Sequence, residues 1–494
     1  MGLEITRERF DADDHARFAA RLAAQVAALE QVLERPDFGV GASTLGAELE
    51  VALVDRGGRP FGINRTLLRE TLDPRVTLEV DRFNLELNTR PVSFTGRPFT
   101  ALGAELASGL AELDRVAAAH GGRIVTIGIL PTLVADDLGA GALTDSRRFR
   151  ALAAGLKALR EQPFRLEIDG EDPLVREADE VTMQGANTSF QVHLRVAPAD
   201  FARVYNAAQI AVAPVLAVAG NAPLFLGHRL WEETRIALFR QSVDDRAGTV
   251  ADDWRPARVS FGHGWLRRGA HELFAESAAF HPTLLPVCGS EDAAAVVRAG
   301  GVPRLDELRL HHGTVWRWNR AVYDDAAGGH LRVELRALPS GPTVADMLAN
   351  AAFLLGLTLG LAPEADRLTS RLAFGHARRS FYQAARYGLD AELLWPSEDG
   401  LSPRAMTVPA LLPRLLACAR RGLLDAGIDE AEADPLLAVV AERVARRMTG
   451  ARWQRQALGR LEAMSPRSEA LAAMLERYLD AAASAAPVHT WPLP

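Results

Sequence analysis

The chain has 494 residues, 48% hydrophobic and 24% charged, with 56 Lys and Arg against 63 Asp and Glu for a net charge of −7. This is ordinary globular composition, long enough for a large core or two to three domains. It excludes a broadly basic nucleic-acid surface. Two distant cysteines, Cys288 and Cys418, offer no metal-ligand spacing and fit a reducing compartment.

The opening MGLEITRERFDADDH lacks the apolar stretch of a secretory signal, and the expected location is cytoplasmic. Apolar residues at helical spacing over Asp14–Leu33, after an Asp-rich start, predict a long amphipathic helix. The glycines of Phe38–Gly46 precede a strand instead of opening a helix, so they do not form a dinucleotide loop. Leu45–Val54, LGAELEVALV, reads as a strand. Glu48 and Glu50 are two residues apart and share one of its faces, roughly 7 Å from each other at about 3.4 Å of rise per residue. Such a pair either faces water or needs a cation beside it, and magnesium suits oxygen ligands. A turn is expected at Asp55–Gly58.

Val76–Val92 reads as two strand segments in which Asn84, Glu86 and Asn88 share a face. Glu79 and Asp81 share another, and a bend near Arg82–Phe83 is needed to bring them together with Glu86. Pro98–His120 predicts a helix closed by Gly121–Gly122. Arg123–Leu130 predicts a buried strand. Leu133–Gly185 is irregular, with a helix expected over Ser146–Glu161 and mobile loops over a site. Lys157, the single lysine of the sequence, lies in that helix, and no G-x-x-x-x-G-K-[ST] phosphate loop exists.

Thr188–Val196 predicts a strand with Ser189, Gln191, His193 and Arg195 on one face. A lone histidine there is more often structural than a ligand. Helices are expected over Pro198–Ala219 and Leu230–Val243, the second bearing Arg235 and Arg240. The apolar run Ile210–Ala219 is too short and interrupted to span a bilayer. Asp244–Pro303 reads as an insertion or lid. His311–His312 lacks metal spacing. Thr314–Leu338 predicts a hairpin whose last strand turns Arg332, Glu334 and Arg336 to one side. Helices then follow over Val344–Leu361, Glu364–Tyr387, Pro409–Leu424, Glu430–Met448 and Ser468–Ala483.

Four strands thus present Glu48/Glu50, Glu86, Gln191/His193 and Glu334/Arg336. Carboxylates, one imidazole and an arginine on an antiparallel sheet suit magnesium nucleotide chemistry without a phosphate loop. The segments GAELE, FNLELNTRP, QVHL, LRVELRALPSGPTVADMLANAAFL and RRSFYQAARYGLDAELL, spanning Leu45–Leu394, resemble the glutamate–cysteine ligases, carboxylate–amine ligase branch. The resemblance implies an α+β fold like glutamine synthetase: a curved antiparallel sheet backed by helices, with ATP and two or three Mg2+ ions on its inner face. It implies Glu48, Glu50, Glu86, His193 and Glu334 as metal ligands, with Glu79 a further one. Arg336 would be the catalytic arginine at the transferred phosphoryl group, and Arg240 and Arg386 would bind substrate.

The implied reaction is ATP-dependent amide formation through an acyl phosphate, with glutamate the first candidate acid and cysteine the first candidate amine. Alternatives are the same chemistry on another pair, a non-catalytic nucleotide-binding regulator, or a kinase that stops at phosphoryl transfer. The implied partners are small molecules, amino acids and ATP, with no nucleic acid or membrane; a homo-oligomer is compatible with the sequence. Leu230–Arg246 matches only loosely, and the tail beyond Ser397 is longer than such a ligase needs. The chain divides into an N-terminal helix over 1–37, a catalytic region over 38–400 and a helical C-terminal extension over 401–494.

Overall fold

The structure, a computed structural model, describes residues 5–160, 162–246, 255–397 and 402–494. Glu161, at which one expected helix ends, and the expected boundary at 400/401 lie outside the described residues.

Among the described residues, eight strands form the main sheet: β1 (Thr44–Asp55), β2 (Val76–Leu78), β3 (Asn84–Asn88), β4 (Val92–Ser93), β5 (Gly122–Val125), β6 (Phe190–Val196), β7 (Asn319–Asp324) and β8 (His330–Leu335). Their order is β7-β8-β6-β1-β3-β2, and β4 and β5 pair with the two ends of β1. All these pairings are antiparallel. The sheet curls into a half-barrel with helices behind it. On β1 the even positions 44 to 50 are half-buried and the odd ones buried, the period-two pattern of a strand with one face on a core. Leu45, Leu49, Val51 and Leu53 therefore anchor β1 while Glu48 and Glu50 stay on the other face.

The rear layer contains the apolar helices Phe201–Ala219 and Val344–Leu361, which pack against each other. Both belong to segments long and apolar enough to cross a membrane, contrary to the expectation for the first, yet 89% and 83% of their apolar windows are buried inside the protein. The C-terminal helices Val408–Asp425 and Glu430–Ala445 cover Val344–Leu361 from outside. Here Arg443 pairs with buried Asp346 at 2.8 Å and donates to Asn350 Oδ1 at 2.6 Å and Val218 O at 2.9 Å. The N-terminal helix, Ala12–Leu33, is capped by Asp11 and lies against helices His271–Phe280, Ala293–Arg298 and Asp306–His312.

Several elements differ from expectation. The helix expected over Leu230–Val243 is helical only over Arg235–Ser242. Before it, the N–H groups of Glu232, Glu233 and Thr234 donate to the carbonyls of Arg386, Ala385 and Ala222, so the segment runs as a tether between neighbours. The strand expected over Arg123–Leu130 stops at Val125, because the next stretch of that edge of β1 is taken by residues 189–194. Glu364–Tyr387 breaks at Leu372, a buried extended residue, into Ala365–Arg371 and Phe374–Tyr387. Helices Asn64–Thr71 and Gly450–Glu462 and the strand pairs Phe164–Ile168/Leu174–Ala178 and Glu392–Trp395/Arg404–Thr407 were not expected. Each strand pair stands outside the main sheet, stabilised by long-range packing that a local pattern does not reveal.

Where Val344–Leu361 and Val408–Asp425 cross, glycines let the backbones touch. A Cβ at Gly422 would fall 2.1 Å from Gly356 O, and one at Gly360 would meet Cys418 O. Gly422→Ala should therefore cost about 2 kcal/mol, within the range for overpacked cores, read as a lower urea midpoint with an unchanged m-value.

Candidate active site

The inner face of the sheet opens onto a cavity of about 600 Å3. Strand register decides what meets there. Glu50 sits opposite Glu86 on β3, and Glu86 opposite Thr77 on β2. Glu48 sits opposite Gln191 on β6. His193 lies between Gly46 on β1 and Glu334 on β8, and Glu334 lies opposite Arg320 on β7. After β2 the chain turns at Arg82–Phe83, the expected bend, and Glu79 joins Glu50 and Glu86.

Two groups of ligand atoms result, each with all members within 4.8 Å of one another: Glu48, His193 and Glu334, and Glu50, Glu79 and Glu86. In the first, His193 Nε2 is 3.0 Å from Glu48 Oε1 and 3.9 Å from Glu334 Oε1. Neither ring nitrogen has an aligned hydrogen-bond partner, although His193 is buried. Fully buried Glu334 is gripped by Arg320, through Nε and through NH2 at 2.9 Å, and by Arg336 NH1 at 2.8 Å. Burial opposes its charge, but Arg320, Arg336 and His193 hold its carboxyl well below the usual range. Burial also opposes ionisation of Glu48, and His193 outweighs it, leaving that carboxyl lowered.

The second group lies on the other side of the scale. Burial and then the charges of Glu48 and Glu50 push Glu86 up to about 8, despite hydrogen bonds from Asn88 Nδ2 at 2.8 Å and Thr77 Oγ1 at 3.0 Å. Burial and the charges of Glu86 and Glu50 raise Glu79 well above its ordinary value. Glu50 is raised by burial as well, although Arg235 and Arg336 oppose this and Ser189 N donates to it at 2.7 Å. Burial and mutual repulsion thus make all three carboxyls harder to ionise than usual, a cost that a bound cation would offset.

Opposite the acids, Arg148, Arg235, Arg320 and Arg336 line the cavity. Arg336 is where the sequence placed it. Arg240 is not: it faces a second cavity with Tyr382, whose ring lies 5.5 Å from its guanidinium carbon. Five residues apart on a helix are about 140° apart in direction, at roughly 3.6 residues per turn. Arg235 therefore takes the inward position on that helix. Arg386 is at the surface, 2.5 Å from Asp169 and over the Tyr387 ring, and it lines no described cavity. Sequence reading missed Arg320, whose place opposite Glu334 follows once the hairpin register is set. It also missed Gln184 and Asn187, which come from a segment without a periodic pattern. His311 Nε2 meets Ser277 O at 2.9 Å, and the two ring nitrogens of His312 meet Ser277 Oγ and Ala321 O. Lys157 pairs with Glu180 at 2.8 Å.

Residues 44–474 match the sequence pattern of glutamate-cysteine ligase family 2. The chain belongs to that family. Among solved structures it is similar to a glutamate–cysteine ligase from Francisella tularensis in complex with AMP, with TM-score 0.56, 11% identity, and 93% of this chain and 91% of that one covered. It is also similar to a bifunctional glutathione synthetase from Pasteurella multocida, with TM-score 0.48, 12% identity, and 93% of this chain and 53% of that one covered. No curated protein sequence matches it. The expected architecture, an α+β glutamine synthetase-like fold with a curved antiparallel sheet and helices, is the one observed, as in the Francisella ligase.

The acid group also predicts a pH dependence of stability. Glu86 binds its proton more tightly folded than unfolded, so its contribution is fully present below the ordinary value of 4.5 and is lost as the pH rises through about 8. With a chelator present, Tm should fall over that window. Glu86→Gln should remove part of the fall, and a divalent cation should flatten the rest; differential scanning calorimetry across pH reads all three.

Proposed function

We propose that the chain is an ATP-dependent carboxylate–amine ligase that joins an acid to an amine through an acyl phosphate. The observation that carries this reading is the pair of three-ligand groups on one sheet face with Arg336 and Arg320 beside them. Family membership supports it, and makes glutamate the first candidate acid and cysteine the first candidate amine.

In this reading Glu48, His193 and Glu334 would hold one Mg2+ ion and Glu50, Glu79 and Glu86 another. The fit rests on His193 ring nitrogens without aligned hydrogen-bond partners and on three carboxyls that burial makes harder to ionise. Mg2+ would neutralise phosphate charge when bound. The remaining work falls to the chain. The acid's carboxylate attacks the γ-phosphorus, ADP leaves, and the amine nitrogen displaces phosphate from the acyl carbon, so a poor electrophile is first made a good one. Arg336 binds oxygens of the moving phosphoryl group with its fixed fork, and Glu334 and the sheet hold that fork in place. Arg235 and Arg148 bind the carboxylate of the acid. Gln184, Asn187 and Gln191 line the cavity with buried amide oxygens that lack hydrogen-bond donors. Their amide nitrogens already donate where Asn187 bonds Gln184 O and Gln191 bonds Glu50. The free oxygens accept the N–H groups of an amine. The cytoplasm, where ATP is supplied, is the location this chemistry fits.

A screen of amino acids in pairs, with ATP and Mg2+, tests the reading. Phosphate should appear only when an acid and an amine are both present. ADP formed over many turnovers with one substrate alone, without free phosphate, would instead mark a kinase. Arg336→Lys then tests the site. A transition-state arginine is worth roughly 10³-fold or more in rate, so kcat should fall by that order while nucleotide titration shows a modest change in Kd. A near-normal kcat would remove Arg336 from the mechanism.

A further inference from the structure

Helices Gly450–Glu462 and Arg467–Ala482 lie outside the sheet, yet each sends one buried polar side chain to the same asparagine, Asn221. Gln454 Nε2 donates to Asn221 Oδ1 at 2.9 Å and to Asn221 O at 3.0 Å. The Tyr478 hydroxyl accepts from Asn221 Nδ2 at 2.9 Å and donates to Thr126 O at 2.8 Å. Asn221, Gln454 and Tyr478 are all fully buried. Gly450 is pressed so close that a Cβ there would fall 2.1 Å from Asn221 Oδ1. The two helices thus clamp one asparagine that precedes Gln454 and Tyr478 by 233 and 257 residues.

From Asn221 the connection continues inward. Its backbone N–H donates to Glu233 Oε2 at 3.0 Å, and Glu233 Oε1 accepts from Arg235 NH1 at 3.0 Å. Arg235 is 3% exposed, donates also to Ala337 O at 3.2 Å, and lines the cavity with its Nε unpartnered. An arginine whose carboxylate partner is itself fixed presents one geometry. An arginine with a mobile partner must be ordered by the ligand at the expense of binding.

We infer that the C-terminal helices fix the direction of Arg235 through Asn221 and Glu233, which are positioning residues, so the extension is part of the active site. The kinetic readout of this inference rests on the ligase reading; the spectroscopic one does not. The test uses the full chain with Tyr478→Phe, Gln454→Met, Arg235→Lys and the corresponding double variants. Each is measured by phosphate-release kinetics and by NMR order of the Arg235 Nε–H group in protein labelled with 15N-arginine, the resonance being assigned by its loss in Arg235→Lys. Tyr478→Phe and Gln454→Met should lower that order and reduce kcat/KM by about tenfold, a coupling usual within one hydrogen-bond network. In the Arg235→Lys background the kinetic loss should vanish, whereas any loss of Tm should persist. Gln454→Met approaches Asn221 from the other helix and keeps the test open if Tyr478→Phe does not fold. An unchanged Arg235 resonance in both variants, or a kinetic loss that persists in full without Arg235, overturns the inference. If the wild type releases no phosphate with any pair, the ligase reading fails, and the NMR result still decides the positioning.

Discussion

Repulsion among carboxylates crowded onto one cavity wall is the constraint around which the rest of the structure is arranged. Glu48, Glu50, Glu79 and Glu86 line the same 600 Å3 space. Like charges at this separation in a partly dry site cannot all remain ionised without help. The chain answers with a gradient. At one end His193 and two arginines keep Glu48 and Glu334 charged. At the other, burial and mutual repulsion raise Glu79 and Glu86. A divalent cation is the kind of ligand that resolves the second end, and a polyphosphate is the kind that resolves the arginines facing it.

Precision comes from the sheet. Every group except Glu79 stands at a defined register position, so the rigid ladder sets the spacing of the ligand atoms. Gly46 is a small but telling part of this. It sits opposite His193 on the acid-bearing face of β1, and a Cβ there would touch nothing within 4 Å. An alanine there would not crowd the imidazole, so the approach of His193 to Glu48 and Glu334 is set by the register itself.

The helices behind the sheet do more than cover it. Arg443 and Asp346 form an ion pair with both side chains buried, an arrangement that is costly unless every remaining polar atom is satisfied. Asn350, Val218 O and Val488 N supply most of those bonds, and Arg443 Nε is left without one. Such a junction specifies how the C-terminal helices seat against the rear layer. The same seating brings Gln454 and Tyr478 to Asn221.

What the sequence by itself determined was much of what has a short period, although the alternating strand Phe164–Ile168 and the helix Gly450–Glu462 escaped it. Alternation in LGAELEVALV and HLRVELRAL placed Glu48, Glu50, Glu334 and Arg336 on their faces, because side-chain direction along a strand depends only on parity. Caps and apolar spacing located the long helices for the same local reason. The tertiary structure decided which strand lies beside which, and hence that Arg320 meets Glu334 and that Glu79 joins Glu86 rather than its strand neighbours. It also decided which arginine of the helix Arg235–Ser242 turns inward, placing Arg235 in the cavity and Arg240 outside it. Rotation of a short helix is set by what packs against it, and here those partners include Ala337 and Ala385, far along the chain. A local pattern carries no record of contacts across such distances.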